Sequence, residues 1–314
     1  MTQSLALGID IGGTNTAFGV VNRRGEIIVK GSLPTTGHET VEDYIARIKR
    51  VLSPVIENVG RDNIAGVGIG APNGNFFTGE IVFAPNLPWQ GVIIPMAKLV
   101  GEALGLNAVL TNDANAAAIG ELAYGAAKGM KDFILVTLGT GLGSGFVANG
   151  QLIYGHDGLA GELGHVIAVR DGRKCNCGRY GCLERYASAT GIVITAQEWL
   201  EERNDETVLR AHTGNLTAKM IQDAAHAGDK FSLELYEYTG KILGQTLADM
   251  VAVTSPQAII FFGGLANAGK MLLEPVHRHL EENLLNIYKN KVALLQSALP
   301  DADVAILGAS ALAW

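Results

Sequence analysis

Short runs of aliphatic and β-branched residues, each broken by glycine, alternate along the chain with longer segments of different period. Residues 5–10, 17–21 and 26–29 read as strands, with 22–25 supplying turn chemistry between the last two. From Thr40 the apolar positions fall at 41, 44, 45, 48, 52, 55 and 56, the spacing of an amphipathic helix. Asp43 stands at its capping-box position, and Pro54 predicts a kink. Ile64–Ala71 and 108–110 read as strands, and the alanine-rich run 114–127 as a helix. Phe133–Leu138, 145–148 and 151–154 are again strands, the last two joined by Asn149-Gly150, a hairpin turn signal. Helices follow over 192–202, 217–227 and 231–253. Then come a strand at Ala258–Phe262, a turn at Gly263-Gly264, a helix over 271–286 and a last strand at 303–307. Strands alternating with helices predict an α/β protein whose sheets are covered on their faces.

The plan strand, glycine loop, strand occurs twice, at Gly12-Gly13-Thr14 and at Gly139-Thr140-Gly141, an offset of 127 residues. A duplication is implied, each copy presenting its loop to a shared cleft. Glycine lets backbone N–H groups approach an anion closely, and threonine adds a donor, so both loops suit phosphate. One such loop could be a plain tight hairpin; a repeated pair points to a nucleotide. No G-x-x-x-x-G-K-[ST] run exists, which excludes a P-loop enzyme. Residues 66–71 match the dinucleotide fingerprint in letters. Pro72-Asn73-Gly74 follows, however, where that fingerprint requires a helix.

The 314 residues predict about two domains. A net charge of −7 argues against nucleic acid or an anionic membrane as partner. The apolar stretch 92–110 is interrupted by Lys98 and Glu102, and 258–269 is too short for the ~20 residues a bilayer needs. The first residues run straight into a strand with no signal-peptide pattern, so a soluble cytoplasmic protein is expected.

Chemistry concentrates in a few places. The 40 glycines, nearly twice the ordinary share of about 7%, cluster between the β-branched runs. Cys175, Cys177 and Cys182 fall within eight residues, an odd count that fits a metal in a reducing compartment. His165 completes H-x9-C-x-C-x4-C, a closed tetrahedral zinc set of structural type, with Gly178 and Gly181 letting the loop fold round the ion. Glu162 and Glu184 bracket that cluster, and two carboxylates beside an imidazole suit a polyhydroxylated ligand. Leu110-Thr111-Asn112-Asp113 ends a strand and opens a helix, which puts an acid at the edge where open α/β sheets bind ligands. Helix capping is the alternative role for Asp113, but it leaves Asn112 unexplained.

In order along the chain stand Asp10-Ile11-Gly12-Gly13-Thr14, Leu110 to Asn115, Leu138 to Gly143, Gly161-Glu162-Leu163-Gly164-His165 and Cys175 to Glu184. Together they resemble the ROK family of bacterial sugar kinases and sugar-responsive repressors, from residue 5 to about 310. The cysteine motif is specific to that family; the first glycine loop is shared with the actin, Hsp70 and hexokinase ATPases. The resemblance implies two ribonuclease-H-like domains of the actin/hexokinase ATPase type around a central cleft. It sets a small N-terminal domain at 1–115, with the tail from about 302 to 314 packing back on it, and a larger zinc-bearing domain at 116–301. ATP with Mg²⁺ would lie on one side of the cleft and the sugar beneath it.

Carried over residue by residue, Asp113 is the general base for the sugar's primary hydroxyl, and Asn112 bonds neighbouring hydroxyls. Glu162, His165 and Glu184 hold the far end of the sugar, with the other nitrogen of His165 on zinc. Asp10 lies near Mg²⁺; Gly12, Gly13, Thr14, Asn15, Thr140 and Gly141 meet phosphate; Gly264 and Leu265 lie by adenosine. Many relatives carry Pro-Gly where this chain has Pro72-Asn73-Gly74, so Asn73 adds a side chain beside the expected sugar site. Pro85-Asn86-Leu87-Pro88-Trp89 resembles the glucokinase branch, and with it Asn73, Gly74 and Asn86 join the substrate-binding set.

The expected activity is ATP-dependent phosphorylation of the 6-hydroxyl of a hexose, D-glucose first, with N-acetylmannosamine, fructose or mannose as alternatives. A sugar-sensing regulator without a DNA-binding domain is the non-enzymatic rival. With the first strand starting by Leu5 and an acidic chain, the repressors' helix-turn-helix domain of roughly 80 residues is not expected. An actin- or Hsp70-like ATPase would not need the zinc loop flanked by two glutamates. A homodimer or homotetramer, formed through the zinc-bearing domain, is expected.

Overall fold

A computed structural model describes residues 4–84 and 86–314; Pro85 of the segment singled out above lies outside the described residues. The first sheet begins as a meander of β1 (Leu5–Ile11), β2 (Asn15–Asn22) and β3 (Ile27–Pro34). Helix α1 (Val41–Val59) follows, with Tyr44, Ile45, Ile48, Leu52 and Ile56 as its buried stripe. Its start is fixed by Thr40, whose Oγ1 accepts the N–H of Asp43 at 3.1 Å and donates to Oδ2 of Asp43 at 2.9 Å. Helical conformation runs on through Pro54 without a break.

Strand β4 (Ile64–Ala71) returns parallel to β1. A small sheet missed in the sequence reading follows: β5 (Gly74–Asn75), β6 (Glu80–Val82) and β7 (Ile93–Ile94). Helix α2 (Met96–Leu104) leads to β8 (Ala108–Asn112), parallel to β4, and α3 (Asp113–Tyr124) starts at once. The order is β3-β2-β1-β4-β8. The central strands are buried as continuous apolar runs, as parallel strands covered on both faces must be.

The second sheet repeats the plan. It holds β9 (Phe133–Leu138), β10 (Leu142–Ala148) and β11 (Gln151–Leu152), then α4 (Ala189–Glu202), α5 (Ala218–His226), α6 (Lys230–Thr254), β12 (Ala258–Phe262), α7 (Lys270–Asn283) and β13 (Ala293–Gln296). Its order is β11-β10-β9-β12-β13, so the repeat extends from the two loops to both sheets. The Asn149-Gly150 turn has positive φ at both residues, 52° and 76°. Each sheet has its own hydrophobic core.

The run 303–307 is not a strand. It lies mostly in helix α8 (Val304–Ala311), buried against β1, β4 and α3. A short apolar run reads alike as strand or buried helix, and here the small residues decide the packing. A Cβ on Gly68 would collide with the carbonyl of Ala309, and one on Gly308 with that of Ala116. The chain groups into one compact unit of residues 1–130, 150–160 and 298–314, and another of 131–149 and 161–297. This differs from a division at 115 with a larger second domain: the units are nearly equal, and α3 packs with the first sheet through α8 and β4.

Candidate active site

Three neighbouring parallel strands end together in the first unit. Asp10 on β1 pairs with Gly70 on β4, and Gly70 with Thr111 on β8, so Asn112 and Asp113 lie just past that row. Asn112, not Asp113, is the N-cap of α3: its Oδ1 accepts the N–H of Ala114 at 2.8 Å. The capping role once open to Asp113 is therefore already filled, and the Asn beside it is explained. Oδ1 of Asp113 lies 2.7 Å from the same N–H.

Burial pushes the Asp113 carboxyl above the usual carboxylate range, although the residue keeps solvent access. Burial, and then the charge of Asp113, push Asp10 up to about 7. A pair of carboxyls held reluctant to ionise at a strand edge can take a proton or hold a cation.

The first glycine loop closes with the N–H of Gly12 donating to the carbonyl of Asn15 at 3.0 Å, which leaves Thr14 and Asn15 exposed. Beneath it lies a buried hydroxyl chain missed in the sequence reading. Thr16 Oγ1 is 2.7 Å from Thr35 Oγ1 and 2.6 Å from the hydroxyl of Tyr44, and the N–H of Thr35 donates to Thr14 at 2.8 Å. The helical pattern had marked Tyr44 only as core. Gly13 faces the carbonyl of Asn86, 2.5 Å from where a Cβ would be, so the Asn86 loop seats against the glycine loop.

Asn73, with φ of 52°, donates through Nδ2 to the carbonyls of Val82 (3.0 Å) and Phe83 (3.4 Å). Gly74 lets β5 approach β8, a Cβ there lying 2.5 Å from the Thr111 carbonyl. Asn75, not singled out from sequence, turns the chain by accepting from the N–H of Phe77 at 3.0 Å and donating to the carbonyl of Asp157 at 2.6 Å.

In the second unit the loop Gly139-Thr140-Gly141 is tied to the start of α4. The N–H of Ala189 donates to Gly139 at 2.9 Å, and that of Thr190 to Thr140 at 3.4 Å. Leu265 donates its N–H to Leu138 at 3.1 Å and is buried, whereas Gly264 has nothing within 4 Å of a Cβ.

The ligand atoms of His165, Cys175, Cys177 and Cys182 lie within 4.8 Å of one another. Nδ1 of His165 is 3.8 Å from Sγ of Cys175, and the sulfurs of Cys177 and Cys182 are 3.6 Å apart. Tetrahedral zinc with bonds of about 2.3 Å places its sulfurs roughly 3.8 Å apart, so the quartet fits that ion. A knuckle holds it: the N–H of Cys175 donates to Arg179 at 2.8 Å, that of Gly178 to Cys175 at 3.0 Å, and Arg179 reaches the carbonyl of His165 at 2.6 Å. With Nδ1 towards the thiols, Nε2 of His165 is the nitrogen left for another partner. Glu162 precedes the His165 turn and is exposed; Glu184 follows Cys182 and is partly buried.

Two sheets of one repeated order, a glycine hairpin in each, and acids at parallel strand ends define an α/β protein of the actin and hexokinase ATPase class. The chain belongs to the ROK family, whose model it matches over residues 6–314. It is 36% identical to the glucokinase of Halalkalibacterium halodurans across 90% of this chain and 86% of that one. The glucokinase of Thermotoga maritima is 33% identical, covering 99% and 98%. A solved ROK family glucokinase from Streptomyces griseus, in complex with glucose and AMPPNP, superposes with a TM-score of 0.80 at 32% identity over 98% of each chain.

Proposed function

We propose that this protein transfers the γ-phosphoryl group of ATP to the 6-hydroxyl of a hexose, with D-glucose as its main substrate. The observation that carries the reading is the carboxyl of Asp113, which stands at the strand edge while Asn112 caps the helix. Likeness to glucokinases over nearly the whole chain supports the sugar and the donor.

Asp113 takes the proton of the 6-hydroxyl as that oxygen forms its bond to the γ-phosphorus and the bond to the departing ADP oxygen breaks. Burial makes the carboxylate more basic, which favours this role. Oδ1 of Asn112 is committed to Ala114, so its Nδ2 is the group that meets a sugar hydroxyl. Glu162 and Glu184 accept from the remaining hydroxyls, and Nε2–H of His165, whose Nδ1 faces the thiols, donates to one of them.

The backbone N–H groups around Gly12, Gly13, Thr14 and Asn15, and those of Thr140 and Gly141, take phosphate oxygens. Gly264, open where Leu265 is not, meets the adenosine. Asp10 would hold Mg²⁺, which when bound neutralises phosphate charge. Zinc in the Cys3His knuckle would be structural, since four protein ligands leave no place for water. Such thiol ligands go with a cytoplasmic, reducing setting. No helix among the described residues is long and apolar enough to cross a membrane.

Coupled measurement of ADP release across glucose, mannose, fructose, N-acetylmannosamine and N-acetylglucosamine tests the reading. Glucose should turn over fastest; no turnover with any aldohexose or N-acetylhexosamine would overturn it. A homodimer is part of the proposal, and light scattering giving a mass near 33 kDa at every concentration would end it.

A further inference from the structure

Glu184 touches more than a sugar ligand needs to. Its Oε2 accepts the N–H of Leu142 at 3.2 Å. Leu142 opens β10 directly after Gly141, so this bond anchors the end of the second glycine loop. Glycine at 141 leaves room for this approach, since a Cβ there would push Oε2 of Glu184 away from Leu142. The start of the loop is anchored by the same stretch of chain. Ser188 Oγ donates to the carbonyl of Glu184 at 2.7 Å and accepts the N–H of Gly191 at 3.0 Å, and Ala189 donates to Gly139. Residues 184–190 therefore brace the loop at both ends. The other carboxylate oxygen lies 3.7 Å from Sγ of Cys175, so the brace stands next to the knuckle.

We propose that Glu184 is a positioning residue for nucleotide binding: its carboxylate oxygen, by accepting from Leu142, sets the backbone of residues 139–142 at phosphate-binding geometry. The inference rests on the kinase reading above but deepens it, because it gives one side chain a part in the donor half of the site. Loops that bind anions through N–H groups lose affinity when their backbone is free to rotate, since ordering must then be supplied on binding. The requirement is for an acceptor at the reach of a glutamate, not for a negative charge. Gln keeps that acceptor and length, Asp keeps the charge but is one methylene short, and Ala has neither.

The test is equilibrium binding of AMPPNP with magnesium in the absence of any sugar, on wild type, Glu184→Gln, Glu184→Asp and Glu184→Ala. Hydrogen exchange of a peptide spanning the 139–142 loop and zinc content are measured on the same samples. Asp and Ala should bind the analogue roughly fivefold to tenfold more weakly, the loss expected for one hydrogen bond, and should exchange faster at the loop. Gln should stay within about twofold of wild type in both. Glucose KM should rise in all three through the sugar contact, so it does not decide the matter. Equal affinity in all four proteins, or Gln falling as far as Asp, would overturn the inference. Wild type that binds no AMPPNP would overturn the kinase reading instead.

Discussion

Replacing Asp113 by Asn separates a catalytic base from a helix cap. The N–H of Ala114 has two acceptors, Oδ1 of Asn112 at 2.8 Å and Oδ1 of Asp113 at 2.7 Å. One N–H cannot bond both fully, so losing either leaves the other in place. The ~1 kcal/mol usually lost with a cap is therefore an upper bound on the stability cost. Burial opposes ionisation of Asp113, so a neutral amide of the same shape also removes an unfavourable charge. Stability of Asp113→Asn at pH 7 should hold or rise. Turnover moves the other way: losing a general base removes at least ~10²-fold, or about 2.7 kcal/mol of transition-state stabilisation. Coupled ADP release at saturating glucose and ATP, with urea melts of both proteins, reads the two effects. Turnover within tenfold of wild type would refute the reasoning, because Asn keeps a capping oxygen and removes only the base.

Asp10, pushed up to about 7, binds its proton more tightly folded than unfolded, so its contribution to stability falls as pH rises from about 4 to 7. Without magnesium, Asp10→Asn should thus raise the melting temperature more at pH 8 than at pH 4, and an equal change at both would contradict this. Cys177→Ser should lower zinc well below one per chain and speed hydrogen exchange between His165 and Glu184, because metal binding and loop folding are coupled. Freshly purified wild type holding much less than one zinc per chain would rule that out. Gly68→Ala should cost about 1–3 kcal/mol or more, since its Cβ meets the Ala309 carbonyl on a packed helix. A melt unchanged by that substitution would show that α8 is not seated as described.

What the sequence revealed depended on the range of each interaction. Strands buried on both faces, such as Phe133–Leu138, and the Asn149-Gly150 turn carry their signal within a few residues. The quartet of three cysteines and His165 is legible for the same reason. Helix α8 is not, because eight apolar and small residues carry no period that separates helix from strand. Strand β13, only half-buried and four residues long, is equally silent. Within the site, Asp10 and Asp113 could be named, but their proximity comes from register across β1, β4 and β8. The chain of Thr16, Thr35 and Tyr44 joins residues 19 and 28 positions apart, and only the fold sets those hydroxyls together. Asn112 as the cap and Glu184 on Leu142 are questions of which atom faces which, and residue types cannot answer them.

The two sheets share an order but not a chemistry, and the difference sits at one position. The offset of 127 that aligns Gly12 with Gly139 aligns Asp10 with Thr137. Thr137 uses its Oγ1 to accept the N–H of Gly143 at 3.1 Å, so it closes its own hairpin. Asp10 has no such duty and stands beside Asp113 with its proton affinity raised. The hairpins differ accordingly: Ile11 pairs with Thr16 in the first and Leu138 with Leu142 in the second, one residue shorter. One copy of the repeat thus keeps an acid on its own strand, and the other has none there. Stiffening the second hairpin falls to Glu184, outside the repeat's own strands, so on the proposed reading the segment carrying the knuckle would serve the phosphates as well as the sugar.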